Sequence, residues 1–264
     1  SSSSVFLLLN NTENNNTTLI ATDRAPSPAT APTMPSYKLH YFDIRGLGEL
    51  PRWLFKLAKV DFEDHRIGFS FGVPGDFSTI QRPEFDSMKA AGELDVSLGK
   101  VPFLEVDGKK IGQSKAIERF LAREFGFMGA DSVEAAQIDQ LCETIIDFKN
   151  AYQKVKGIQD ATEKEAAMKK WFEEGLPASV ALAEKSVPPG PGPFLVGSKV
   201  SLADLVWYSF LAAPKGFFDN AEGAKASMDK CPRIKASTRA VAQIPELQEW
   251  LKTHPETPIR FVRA

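Results

Sequence analysis

The first patterned stretch of the chain is 37–42, where Tyr37, Leu39 and Tyr41 alternate with Lys38, His40 and Phe42. A period of two predicts a strand. A turn carrying Gly46 and Gly48 follows, and then Leu50, Trp53, Leu54, Leu57 and Ala58 recur on one helix face, with Pro51 tolerable in the first turn. Positions 62–67 predict a second strand. The region 68–99 is punctuated by Gly and Pro, and only 83–91 there reads as a short helix. A third strand over 102–106 is turned by Asp107-Gly108 into 109–112, since that dipeptide is a strong hairpin signal. Ser114 is placed to cap a helix whose apolar face is Ile117, Phe120, Leu121 and Phe125.

Beyond about residue 128 the pattern is helical. Ile138, Leu141, Cys142, Ile145, Phe148 and Tyr152 share a face, 161–185 and 201–213 predict two more helices, and the Pro/Gly run 188–193 is a loop between them. Two further short helices are expected in 221–242 and 246–253. The predicted order is β-α-β, a hairpin and a helix, then an all-α part, with a boundary near 126–130. Ser201 and Asp204 have capping-box spacing with Val200 as a staple, and Trp53, Trp171, Trp207 and Phe210 are expected in the core.

Composition adds mostly exclusions. The 264 residues carry 32 Lys+Arg against 34 Asp+Glu, a formal charge of −2. Near-neutrality with no basic run argues against a nucleic-acid partner. The length suits one large or two small domains. Two cysteines, Cys142 and Cys231, cannot form a disulfide framework, and neither stands at metal-ligand spacing from another Cys or a His. No metal site is expected, and a reducing compartment is the simplest reading. Residues 1–33 differ in kind: 16 of them are Ser, Thr or Asn. Such a segment is expected to be disordered and outside the folded protein. Its apolar run at 5–9 is too short for a signal-peptide core or a membrane span. Met34, just before the patterned chain, is the expected start of natural translation, although a clipped leader would look similar.

Three local features could carry chemistry. The exit of strand 1 brings Tyr41 and Arg45 beyond a strand end, where ligands gather in open α/β layers. Val101-Pro102 puts a proline at a strand start, which suggests a cis turn. Gln113-Ser114 opens a helix, whose N–H groups can hold a carboxylate. Each has an ordinary alternative: a half-buried Tyr with a surface Arg, a trans proline, and a Ser that caps only its own helix.

Together these features resemble the glutathione transferases, most closely the sigma class with its prostaglandin-synthase relatives. The resemblance spans about 36–252. It rests on Tyr-Lys-Leu-His-Tyr-Phe at 37–42, Arg-Gly-Leu-Gly-Glu at 45–49, Phe-Glu-Asp-His-Arg at 62–66, Gly-Lys-Val-Pro-Phe-Leu-Glu-Val-Asp-Gly at 99–108, Gln-Ser-Lys-Ala-Ile at 113–117 and Ser-Leu-Ala-Asp at 201–204. It implies an α/β thioredoxin-like N-terminal domain, 34–127, and an all-α C-terminal domain, 128–264.

By the same resemblance, Tyr41 is the catalytic tyrosine, donating to the sulfur of glutathione. A hydrogen bond to the charged form lowers a thiol pKa, and the thiolate is the nucleophile. A thioredoxin-type Cys-x-x-Cys is excluded, because 42–48 holds no cysteine. The resemblance makes Val101 the backbone partner of the cysteinyl part, with cis Pro102 behind it. Gln113 and Ser114 hold the γ-glutamyl end, Gly99 and Lys100 are further contacts, and Asp147 reaches the glutathione amine from a partner subunit, which implies a homodimer. Leu47 stands where sigma-class enzymes often carry an arginine, so electrostatic help for the thiolate comes from Arg45 or is weaker. Arg82 and Asp86 stand where the family has a tryptophan and a lysine at the glycine end; Arg82 could replace that contact and Lys89 offset the repulsion from Asp86. Lys154 stands where the prostaglandin synthases carry an aromatic wall. Phe42 and Ile44 are candidate walls of the acceptor pocket.

The implied function is conjugation of glutathione, a co-substrate and not a bound cofactor, to small hydrophobic electrophiles in the cytoplasm, with no nucleic-acid or membrane partner. The alternatives are a glutathione-dependent isomerase of lipid endoperoxides and a non-catalytic ligand-binding or structural homologue.

Overall fold

A computed structural model describes residues 35–73, 76–214, 217–218, 220–254 and 260–261. The 1–33 segment and Met34 lie outside the described residues.

Strand β1 (Tyr37–Phe42) leads through a short 3-10 turn, Gly46–Gly48, into helix α1 (Glu49–Ala58), and β2 (Glu63–Ile67) then returns parallel to β1. β5 (Phe103–Val106) pairs antiparallel with the other edge of β1, and β6 (Lys109–Gly112) with β5, giving a sheet of order β2-β1-β5-β6. The Asp107-Gly108 turn has positive φ at both residues, 48° and 78°, as a tight hairpin of this twist requires. Between β2 and β5 the chain forms β3 (Ser70–Phe71), β4 (Ile80–Gln81) and α2 (Pro83–Ala90). The two-residue strands were not legible from pattern. β3 also pairs with a final two-residue strand, β7 (Arg260–Phe261).

The sheet is covered on both faces. Alternation placed His40 on the face opposite Leu39, yet His40 is only 4% exposed. It is stacked 4.8 Å from His65 and 4.1 Å from Phe103, ring centroid to centroid. His65 Nε2 in turn meets Glu84 of α2 at 2.6 Å. A sheet buried on both sides loses the simple in/out rule.

Helix α3 (Ser114–Glu124) packs against α1. The helical part consists of α4 (Ser132–Lys156), α5 (Ala161–Lys170), α6 (Leu176–Ser186), α7 (Leu202–Leu211), α8 (Ala221–Ala226), α9 (Pro232–Ala242) and α10 (Pro245–Thr253). The single helix expected over 161–185 is interrupted by a π-turn at Trp171–Gly175, where the Leu176 N–H reaches back five residues to the Trp171 carbonyl. Pro177, next in line, has no N–H with which to continue the regular ladder. The stretch 221–242 likewise divides at Cys231-Pro232 into α8 and α9.

Helix α7 is buried nearly throughout and starts with the expected capping box. Buried Asp204 accepts from the Ser201 N–H (2.8 Å) and hydroxyl (2.6 Å), and also from the Leu195 N–H (2.8 Å) and the Ser237 hydroxyl (2.6 Å). Trp53, Trp171, Trp207 and Phe210 are core residues, as expected. Cys142 and Cys231 are both buried free thiols, and burial pushes both pKa values up, the state of an inert thiol.

Candidate active site

The strand register assembles the site. His65, His40, Phe103 and Gly112 form one row across the sheet. One residue further along lie Arg66, Tyr41, Pro102 and Gln113, so three of the expected positions stand side by side at the same sheet end.

Tyr41 is 6% exposed, and its hydroxyl accepts the Leu47 N–H at 3.0 Å. The ring lies along the glycine turn. A Cβ on Gly46 would stand 2.5 Å from the Tyr41 hydroxyl oxygen, and one on Gly48 2.7 Å from Cδ1; Gly46 also has φ of +40°. Only glycine permits that approach. Burial raises the Tyr41 pKa above the ordinary phenol value, against smaller opposing effects of the Leu47 N–H and the Arg52 charge. The phenol therefore stays protonated at neutral pH. Since a hydroxyl is both acceptor and donor, the Leu47 bond leaves its proton available.

The cation facing this tyrosine is Arg52, which the sequence reading passed over. It is fully buried on α1, with its guanidinium carbon 5.9 Å from the Tyr41 ring centroid. Nε donates to both Asp64 carboxylate oxygens (3.0 and 3.1 Å), and Nη1 to the carbonyls of Ile44 (2.8 Å) and Arg45 (3.4 Å). Glu49 lies 3.7 Å from Nη1. Its signal was a basic residue inside the apolar run 50–55, all of which is buried. A charge there has to be paired.

Arg45, expected to help the thiolate, has its guanidinium bonded to backbone carbonyls far along the chain. Nη1 donates to the Pro214 carbonyl at 3.2 Å, and Nη2 to those of Leu251 (3.5 Å) and His254 (3.4 Å). These bonds commit the guanidinium to the helical part. Phe42 is likewise taken up in packing, 5.3 Å from Phe85 and 5.5 Å from Phe69. Ile44 packs on the same small cluster, which includes Tyr41, Phe85, Val101 and Phe103.

On the β5 side the Val101-Pro102 peptide is cis, as expected. Gly99 precedes it at φ of +70°, and the Lys89 side chain lies over that glycine, where a Cβ would stand 3.3 Å from Cε and 3.8 Å from Nζ. The buried Ser97 hydroxyl donates to the carbonyls of Leu94 and Lys100. Lys89 and Lys100 are exposed cations with no ion pair among the described residues. Arg82, by contrast, donates from Nε to Asp86 at 3.2 Å and stacks on Phe85 at 4.4 Å. The two opposite charges expected to act separately at the glycine end instead satisfy one another.

At α3, Gln113 rather than Ser114 occupies the cap position, which corrects the expected Ser114 cap. Gln113 has φ 68° and ψ 112°, and makes no side-chain cap bond. That backbone conformation is strained for a residue with a Cβ. Ser114 becomes the first helical residue, half-buried among the unpaired N–H groups of the first turn. Asp147 and Lys154 are exposed on α4. Among the described residues no cluster of His, Cys, Asp or Glu could hold a metal, and no helix is long and apolar enough to cross a membrane.

Comparison with known proteins bears on this arrangement. Residues 37–123 match the family model for the glutathione S-transferase N-terminal domain, and 146–254 that for the C-terminal domain. Glutathione S-transferase 3 of Caenorhabditis elegans is 35% identical over 232 residues, covering 85% of this chain and 99% of that protein. Hematopoietic prostaglandin D synthase of Gallus gallus is 33% identical over 229 residues, covering 86% and 100%. Among solved structures, a Nu-class glutathione transferase from Haemonchus contortus superposes with a TM-score of 0.64 at 31% identity, covering 85% of this chain and 99% of that one.

Proposed function

From the premise that this chain belongs to the glutathione S-transferase family, we propose that it conjugates the thiolate of glutathione to small hydrophobic electrophiles, with Tyr41 as the catalytic residue. The observation that carries this reading is the state of Tyr41: buried, held by the Leu47 N–H, and kept protonated with its own proton to donate. A phenol in that state stabilises a thiolate by hydrogen bonding and does not act as a base.

In this reading Gln113 and Ser114 receive the γ-glutamyl end, with the first-turn N–H groups of α3 favouring its carboxylate. The backbone of Val101, beside Pro102, pairs with the cysteinyl part. Lys89 and Lys100, the exposed cations beside Gly99, meet the glycine carboxylate; Arg82, paired with Asp86, does not. Asp147, exposed on α4, serves the site of a second subunit in a homodimer. In this reading the chain divides into a glutathione-binding domain, 34–127, and a helical domain, 128–264, and acts in the cytoplasm.

A glutathione-dependent isomerase is the second reading, favoured by the similarity to a prostaglandin D synthase. It uses the same thiolate but returns glutathione unconsumed. Tyr41→Phe tests the shared step. Loss of a hydrogen bond to a charged sulfur, about 1.5–3 kcal/mol, should slow chlorodinitrobenzene conjugation roughly ten- to hundredfold with glutathione affinity nearly unchanged. A variant with the wild-type rate overturns the role of Tyr41. Glutathione consumption with a lipid endoperoxide as substrate separates conjugation from isomerisation.

A further inference from the structure

Lys149, on α4, has no part in the site just described. Its ammonium lies 5.1 Å from the Phe217 ring centroid and 5.8 Å from that of Phe210. Those rings belong to an aromatic cluster with Phe148, Tyr152, Phe172 and Phe218. The charged groups that face Lys149 come from α3. Lys115 repels it and Glu118 attracts it. These two, however, already pair with each other, Lys115 Nζ lying 2.8 Å from both Glu118 oxygens. Helix α7 and the 217–218 segment present the Phe210 and Phe217 rings. Among the described residues Lys149 has no carboxylate of its own, yet it remains half-buried and not sealed. Burial first, and Lys115 second, push its pKa down to about 8.

We propose that Lys149 is a carbonyl-capture site, at which hydrophobic aldehydes condense reversibly with the side-chain amine against the half-buried Phe217 ring. The amine nitrogen attacks the carbonyl carbon and the carbonyl oxygen takes a proton. The resulting carbinolamine loses water, leaving a carbon–nitrogen double bond to Nζ. Nothing is oxidised or reduced. Two features favour the step: an amine held in partly buried surroundings without a carboxylate of its own gives up its proton more readily and is then nucleophilic, and the half-buried Phe217 ring beside it can receive the apolar part of the aldehyde.

The test treats the full chain with benzaldehyde and sodium cyanoborohydride at pH 8, without glutathione, and follows benzylation of each lysine by peptide mass spectrometry. Lys225, more than half exposed, is the internal reference. Lys149 should be modified at least about tenfold faster than Lys225, because an ordinary lysine is almost wholly protonated at that pH. Lys149→Arg should abolish that adduct alone, with an unchanged melting curve showing that the fold survives. Phe217→Ala, which admits water beside the amine, should bring the Lys149 rate toward that of Lys225. Equal rates at the two lysines in the wild-type chain, or an unaltered Lys149 rate in Phe217→Ala, overturn the proposal.

Discussion

Replacing Arg52 by methionine separates what this residue does for the fold from what it does for the site. Methionine keeps most of the stem's packing and removes the charge and its donors. Asp64 then loses both bonds to Nε, the Ile44 carbonyl loses its 2.8 Å donor, and Glu49 loses its nearest cation. Removing one partner of a buried ion pair typically costs about 3–5 kcal/mol. At roughly 2–4 °C per kcal/mol for a chain of this size, the melting temperature should fall by about 10 °C. The site should suffer separately, since Arg52 holds the 44–45 carbonyls of the turn that carries Leu47 to Tyr41. A displacement of about 1 Å can cost about a hundredfold in rate. Urea unfolding and chlorodinitrobenzene turnover are the two assays, the second run well below the melting point. Asp64→Asn in the Arg52→Met background should cost less than the sum of the single changes, because the pair is already broken. An unfolding midpoint within about 1 kcal/mol of wild type would refute the pairing argument. Lower stability with unchanged kcat would refute the positioning argument.

Asp204→Ala should destabilise by about 3–5 kcal/mol in the same urea assay, since it removes the capping box and strands the Leu195 N–H and Ser237 hydroxyl in the core; a loss under 1 kcal/mol contradicts that accounting. His40 gives a pH dependence. Burial first, then His65, Lys38 and Lys110, hold its pKa at about 4, against Glu63 and the nearby Glu105 carboxylate. The folded state keeps it neutral while the unfolded chain takes up a proton near 6.5. Its contribution is thus complete above that pH and declines by up to about 3 kcal/mol as pH falls to about 4. His40→Phe should flatten this decline between pH 7 and 4.5, and an unchanged slope assigns the acid sensitivity elsewhere. At the glycine end, Lys89→Ala should raise the KM for glutathione several-fold and Arg82→Ala should barely change it; the reverse order would show that the Arg82–Asp86 pair opens when glutathione binds.

What could be read from sequence was whatever a few neighbouring residues determine. The alternation of 37–42, the Asp107-Gly108 turn and the Ser201/Asp204 box are local patterns, and all appear in the fold. That the positions along the row through Tyr41 belong to one site was legible only through resemblance, because the register that aligns Tyr41 with Pro102 and Gln113 joins segments some sixty to seventy residues apart. The errors share that cause. The burial of His40 was not legible, because alternation says nothing of a layer on the second face. Arg45 looked free because its acceptors, Pro214, Leu251 and His254, are about 170–210 residues away. Ser114 looked like a cap because Ser favours that position, whereas the strained Gln113 backbone precedes the helix by one residue. The Arg82–Asp86 pair, at i and i+4, could have been anticipated from spacing alone.

One buried carboxylate oxygen has a consequence for how the chain is made. Glu49 Oε1 accepts from Trp53 Nε1 at 2.9 Å and from Trp250 Nε1 at 3.0 Å, so a residue beside the glycine turn is joined to the last long helix. With the Arg45 bonds to the 214–254 carbonyls, the turn around Tyr41 gains its final partners only after α10 exists. During synthesis the N-terminal half can pair its strands long before this, but its reactive corner stays unfinished. A chain ending before Pro245 would thus lack the Trp250 donor to Glu49 and the Leu251 and His254 carbonyls that hold Arg45.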